Sequence, residues 1–179
     1  GEIVIDSMPG QGSDFMVFLN LPIADEQEAE AKDEEEAAQT EDSEDFSYEG
    51  LNILMAEDNE MNAEIAVGIL EMRGAQVDVA ANGREAVEKF ASNPPGHYDL
   101  ILMDIQMPEM DGREATKTIR SIQRPDAKEI LIFALSADAF VEDQRYSAEI
   151  GMNGHFAKPI DFEAMRVSIG RIMKERKQI

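Results

Sequence analysis

The sequence predicts an α/β chain: a doubly wound, five-stranded parallel sheet with helices on both faces, preceded by an N-terminal β-hairpin. Three observations carry this expectation. From residue 51 onward, short apolar runs alternate five times with longer stretches whose apolar residues recur at helical spacing. The runs are apolar almost throughout, as strands buried on both faces are, rather than at every second position. Each run leads into a helix, so successive strands are joined by crossovers, and right-handed crossovers leave the two-sided sandwich as the main solution.

The elements follow in order. Leu51 to Ala56 (LNILMA) is the first strand of the sheet, and Met61 to Met72 the first helix, with Met61, Ile65, Ile69 and Met72 on one face, Leu70 beside them and Gly74 as its stop. Val77 to Ala80 is a strand, Asn82-Gly83 a turn and Arg84 to Ala91 a helix. Tyr98 to Asp104 (YDLILMD) is a buried strand, followed by Asp111-Gly112 as a turn and a helix from about Arg113 to Ile122. Ile130 to Leu135 precedes a helix near Phe140 to Ile150. His155 to Ala157 is a short last strand, and Phe162 to Lys177 a terminal helix with Met165, Ile169, Ile172 and Met173 facing inward. The methionines, Met55, Met72, Met103, Met165 and Met173 among them, read as core gap-fillers.

Composition narrows the chemistry. There is no cysteine, which removes disulfides, thiolate nucleophiles and cysteine-bound metals, and fits a reducing compartment. Two histidines, His97 and His155, are too few for a multi-histidine metal centre. His97 lies in the loop NPPGHYD, without the helical surroundings of a phosphorylated histidine. The net charge of -22 disfavours nucleic acid and anionic lipid as partners, and no apolar run reaches the length of about 20 residues that a membrane span needs. Residues 25–49 hold 13 acidic side chains against Lys32 alone, so they read as a self-repelling flexible linker.

In a sheet of this kind, ligands collect at the carboxyl ends of the strands. Glu57 and Asp58 follow the first strand, Asp104 ends the third, Ser136 follows the fourth and Lys158 the fifth. Two carboxylates about 4 Å apart repel by roughly 4 kcal/mol at an effective dielectric near 20, so three together call for a cation. A small hard ion such as Mg²⁺ suits oxygen ligands.

Glu57-Asp58-Asn59, the run LILMDIQMPEMDG at 100–112, Ala134-Leu135-Ser136-Ala137 and Lys158-Pro159 together resemble the receiver domain of two-component signalling, over about 130 residues. The resemblance implies a flavodoxin-like fold over residues 50–179 and a Mg²⁺-dependent transfer, with Mn²⁺ as a substitute, of a phosphoryl group from phosphohistidine to Asp104. It assigns Asp58 and Asp104 as metal ligands, Glu57 as an acid reaching the metal through water, and Gln106 as donor of a backbone carbonyl. Ser136 and Lys158 would bind phosphoryl oxygens, and the bond before Pro159 would be cis. His155 stands where the family often has Tyr or Phe, and would act with Ser136 as a switch. Glu57 stands where a second aspartate is frequent.

The first 24 residues, GEIVIDSMPGQGSDFMVFLNLPIA, place two apolar stretches around Pro9-Gly10-Gln11-Gly12-Ser13 and read as a hairpin. They resemble the last two strands of a histidine-kinase ATP-binding domain, with Gly10 and Gly12 in the place of its final glycine box. Together the two resemblances imply the receiver of a hybrid sensor histidine kinase, located in the cytoplasm, with any membrane anchor elsewhere in the parent protein. Its partners would be a kinase phosphohistidine domain and a histidine phosphotransfer protein, and a homodimer is left open. These residues lack the rest of the ATP site and the phosphoacceptor-histidine helices. The alternatives are a stand-alone response regulator with protein-binding output and a haloacid-dehalogenase-like phosphatase. The phosphatase would require an acid where Gln106 stands.

Overall fold

The computed structural model describes residues 2–8, 12–18, 46–137 and 147–177. The chain divides into two units, Gly1–Asp42 and Ser43–Ile179, and each is described by itself. In the first, β1 (Glu2–Met8) and β2 (Gly12–Phe18) form the expected antiparallel hairpin, with Ile3 opposite Val17 and Ile5 opposite Phe15. These four apolar residues are all exposed. Gly12 has φ +103°, a conformation that glycine adopts without penalty. Gly10, most of the acidic linker and most of the helix expected at 140–150 lie outside the described residues.

The second unit carries β3 (Asn52–Ala56), α1 (Glu60–Met72), β4 (Gln76–Ala80), α2 (Gly83–Ser92), β5 (Leu100–Asp104), α3 (Gly112–Ser121), β6 (Leu131–Ser136), β7 (Gly154–Ala157) and α4 (Phe162–Lys177). A short 3₁₀ helix at Pro125–Lys128, unforeseen in the sequence, precedes β6. The sheet is parallel in the order β4-β3-β5-β6-β7. Alternate residues of the central strands face opposite layers. Leu54, Ile101, Met103 and Ile132 pack with Phe90 of α2 and Ile119 of α3. Ile53, Leu100, Leu102 and Phe133 pack with Leu70 of α1 and with Met165 and Ile169 of α4. Both layers are apolar because both faces of the sheet are covered, which explains the uninterrupted apolar strands.

The inward face of α1 is not the one that its apolar spacing predicts. Met61, Ile65 and Met72 do share a face of α1, but it is the exposed face, at 70%, 56% and 89%. The inward face is Ala63, Ala66 and Leu70. The phase is set at the N-terminus, where Asn59 caps the helix by accepting from the backbone N–H groups of Met61 and Asn62. The small alanines then face the sheet.

Before β3, Phe46 and Tyr48 pack edge to face, and Tyr48 is buried in the layer that holds Met165 and Ile169. Phe46 lies against Gly170 of α4 so closely that a Cβ there would come 2.7 Å from the Phe46 Cβ. The folded unit therefore includes residues that composition alone assigns to the linker.

Candidate functional site

The strand register assembles the site. Ala56 pairs with Met103, which sets Glu57 level with Asp104, the last residue of β5. Asp104 pairs with Leu135 and Ser136 with Ala157, so Ser136 and Lys158 follow one step beyond on β6 and after β7. The backbone then secures each position: Glu57 N–H donates to the Ala80 carbonyl and Lys158 N–H to the Ser136 carbonyl. The Lys158–Pro159 peptide is cis, as the resemblance implied.

The loop after β5 folds back tightly against Asp104. Gly112 N–H donates to the Ile105 carbonyl, and a Cβ at Gly112 would come 2.0 Å from the Asp104 carbonyl oxygen. Only glycine fits there. Asp111, read as a turn residue, caps α3 by accepting from Glu114 N–H.

Lys158 Nζ donates to Asp104 Oδ2 and to Glu57 Oε2, both at 2.6 Å. Gln106 N–H donates to Asp104 Oδ1 at 3.0 Å, so the backbone contact seen at Gln106 is through its N–H. Glu57 and Asp104 are buried at 3% and 4% exposure, whereas Asp58 is exposed at the rim. Burial pushes the Asp104 carboxyl above its ordinary range, and the nearby Glu57 charge adds to this; the Lys158 ammonium and the Gln106 N–H act in the other direction. For Lys158, burial favours the neutral amine, but hydrogen bonds and charge from Asp104 and Glu57 more than offset it and hold its pKa above the usual lysine value.

Glu57, Asp58 and Asp104 each offer an oxygen, and the three lie within 4.8 Å of one another. The Lys158 ammonium bridges two of these acids, leaving Asp58 at the solvent side. An all-oxygen set with an open, solvated flank fits a small hard divalent cation that keeps several waters.

Ser136 Oγ and His155 Nε2 lie 3.0 Å apart, so the two residues expected to act together are in contact. The buried Nδ1 of His155 has no hydrogen-bond partner among the described residues. One contact at the site was missed in the sequence: Asn62 Nδ2 donates to Glu57 Oε1 at 2.9 Å. Its signal was the position of Asn62 in the first turn of the helix that opens directly after the acidic pair.

A model of the response regulator receiver domain matches residues 53–170. The aerobic respiration control sensor protein ArcB of Escherichia coli K12 is 34% identical over 170 residues, which is 94% of this chain and 20% of that protein. The chain thus spans about a fifth of the length of this relative. Among solved structures, the receiver domain of sensor histidine kinase PA1611 from Pseudomonas aeruginosa, with a magnesium ion in its active-site cleft, is 33% identical at a TM-score of 0.58, covering 70% of this chain and 96% of that one. A receiver domain from Saccharomyces cerevisiae, co-crystallised with a histidine phosphotransfer signaling protein, is 29% identical at a TM-score of 0.58, covering 66% of this chain and 85% of that one.

Proposed function

Because the chain belongs to the response regulator receiver family, we propose that residues 46–179 form the receiver of a hybrid sensor histidine kinase, taking a phosphoryl group from a phosphohistidine onto Asp104. The observation that carries this reading is the convergence of Asp104, Glu57 and Lys158 through two 2.6 Å bonds at one sheet edge, with Asp58 beside them.

An Asp104 carboxylate oxygen forms the new O–P bond in line as the N–P bond of the phosphohistidine breaks, and the electron pair of that bond returns to the imidazole. The Gln106 N–H orients the nucleophile and helps keep it ionised despite burial. The Lys158 ammonium, already on Asp104, exchanges a carboxylate oxygen for a phosphoryl oxygen, and the Ser136 hydroxyl takes another. Mg²⁺, or Mn²⁺ in its place, held by Asp58, Asp104, the Gln106 carbonyl and, through water, Glu57, would neutralise charge on the transferred group. His155, already at Ser136, would follow that hydroxyl and carry the change outward.

The partner reading rests on the surface beside the site. A cavity of about 260 Å³ is lined by Glu57 and Lys158 together with Ile65, Ile160 and Phe162, and Met61 and Ile65 are both exposed on α1. A kinase phosphohistidine domain or a histidine phosphotransfer protein that brings its imidazole to Asp104 would cover these apolar side chains; a histidine phosphotransfer signaling protein is the partner in the co-crystal with the yeast receiver domain. The hybrid reading draws on the first 24 residues. The similarity to ArcB spans 94% of the chain, more than the receiver alone can supply, and the exposed apolar hairpin suits two strands of a larger sheet in a kinase ATP-binding domain. Such a parent would act on the cytoplasmic side. Among the described residues no helix is long and apolar enough to cross a membrane.

The test is transfer from a radiolabelled phosphohistidine phosphotransfer domain to the chain. Label should move to wild type in the presence of Mg²⁺, and not to Asp104→Asn. Label on Asp104→Asn would overturn the assignment.

A further inference from the structure

Glu57 differs from an aspartate by one more rotatable bond, and its carboxylate must still be held where it can serve the cluster. Fixing a flexible side chain costs conformational entropy unless neighbouring groups have already restricted it. Two protein groups do so: Lys158 on Oε2 and Asn62 on Oε1. The first is shared with Asp104 and is the group expected to move to a phosphoryl oxygen. Once it moves, the amide of Asn62 is the remaining side chain among the described contacts that fixes Glu57. That amide is neutral, so it orients the carboxylate without competing with a cation for its charge.

Asn62 is itself set in place from below. Its backbone N–H donates to the side chain of Asn59, the cap of α1, at 3.2 Å, so the first turn of the helix is fixed relative to the strand end that bears Glu57. The side chain then reaches back over five residues to a carboxylate that is 3% exposed. A buried carboxylate oxygen that loses its donor is left unsatisfied unless water or a shift of the side chain replaces it.

We propose that Asn62 is a positioning residue: by holding Glu57 Oε1 it fixes the acidic cluster for a divalent cation and thereby sets the cation affinity of the site. This rests on the receiver reading of the site and adds to it a residue outside the acid, hydroxyl and lysine set.

The experiment is titration of the full 179-residue chain with Mn²⁺, read by electron paramagnetic resonance of the free ion, with Mg²⁺ as competitor. Asn62→Leu and Asn62→Ala both remove the donor at an exposed position of the helix's first turn, and thermal melts without metal check that both fold. Each should weaken Mn²⁺ binding by about five- to tenfold, a shift of about 1–1.4 kcal/mol. In a Glu57→Gln background, Asn62→Leu should add nothing, because the residue acts through that carboxylate. Wild-type affinity in both Asn62 variants, with Glu57→Gln and Asp58→Asn weakened, would overturn the proposal and leave the site reading standing. Independent, multiplying effects of Asn62→Leu and Glu57→Gln would also overturn it. Unchanged affinity in Asp58→Asn and Glu57→Gln would overturn the metal-site reading and this proposal with it.

Discussion

At the scale of single residues, the site stores like charge that only part of the surroundings neutralises. Asp104 is buried beside Glu57, and its pKa is raised above the ordinary 3.8. A raised acid binds its proton more readily in the folded state, so its contribution to stability is full below the unfolded pKa and is lost as pH rises through the folded value. At neutral pH the ionised Asp104 therefore costs stability. Asp104→Asn should raise the metal-free Tm at pH 7 by about 2–4 °C, and the difference should narrow as pH falls toward 4, which thermal melts across pH would measure. Lys158 is also raised, above 10.5, so its ammonium stays charged throughout the physiological range, and the stability it contributes is lost as pH climbs through the folded value. Glu57, Asp58, Asp104, Ser136 and Lys158 were legible in the sequence because each is a polar group at the end of an apolar run. Asn62 was not, because a first-turn asparagine reads as an ordinary capping neighbour, and its partner is chosen by the fold.

At the scale of elements, close backbone approach shapes the site as much as side chains do. Gly112 opens α3 against the Asp104 carbonyl, and with 2.0 Å available for a Cβ the neighbouring backbone would have to shift. Gly112→Ala should cost more than about 3 kcal/mol and lower the phosphorylation of Asp104, measured by denaturant unfolding and by phosphoryl incorporation. The sequence marked this glycine as part of a turn, which was right in place but silent about the packing that demands it. The inverted face of α1 has a related cause. Periodicity favoured the large residues Met61, Ile65 and Met72, whereas the side facing the sheet is taken by Ala63, Ala66 and Leu70. Hydropathy ranks alanine below methionine, but the helix phase follows its cap at Asn59 and the need for small residues against the sheet. The large side chains are left exposed.

At the scale of the whole molecule, the five-stranded parallel sheet and the strand-end site followed from the alternation of apolar runs, while the limits of the folded unit did not. Composition carried the acidic linker to residue 49, yet Tyr48 is 1% exposed and Phe46 packs on Gly170. Aromatic residues next to a charged stretch look like linker until the terminal helix supplies their contacts. A chain spanning 52–179 should unfold with about 3–5 kcal/mol less stability than one spanning 46–179, the cost of removing a buried aromatic anchor, as measured by urea denaturation. Both should retain the carboxyl-edge site, because none of its side chains comes from residues 46–51. On the proposed function, this edge makes an acyl phosphate at Asp104 with the help of a divalent cation. Its most direct test is intact-mass analysis after incubation with acetyl phosphate, with Mg²⁺ and with a chelator, for wild type and Asp104→Asn. Wild type should gain one phosphoryl group with Mg²⁺ and none with chelator, and the variant should gain none; an equal gain in Asp104→Asn, or in wild type without the cation, would contradict acyl phosphate formation at Asp104.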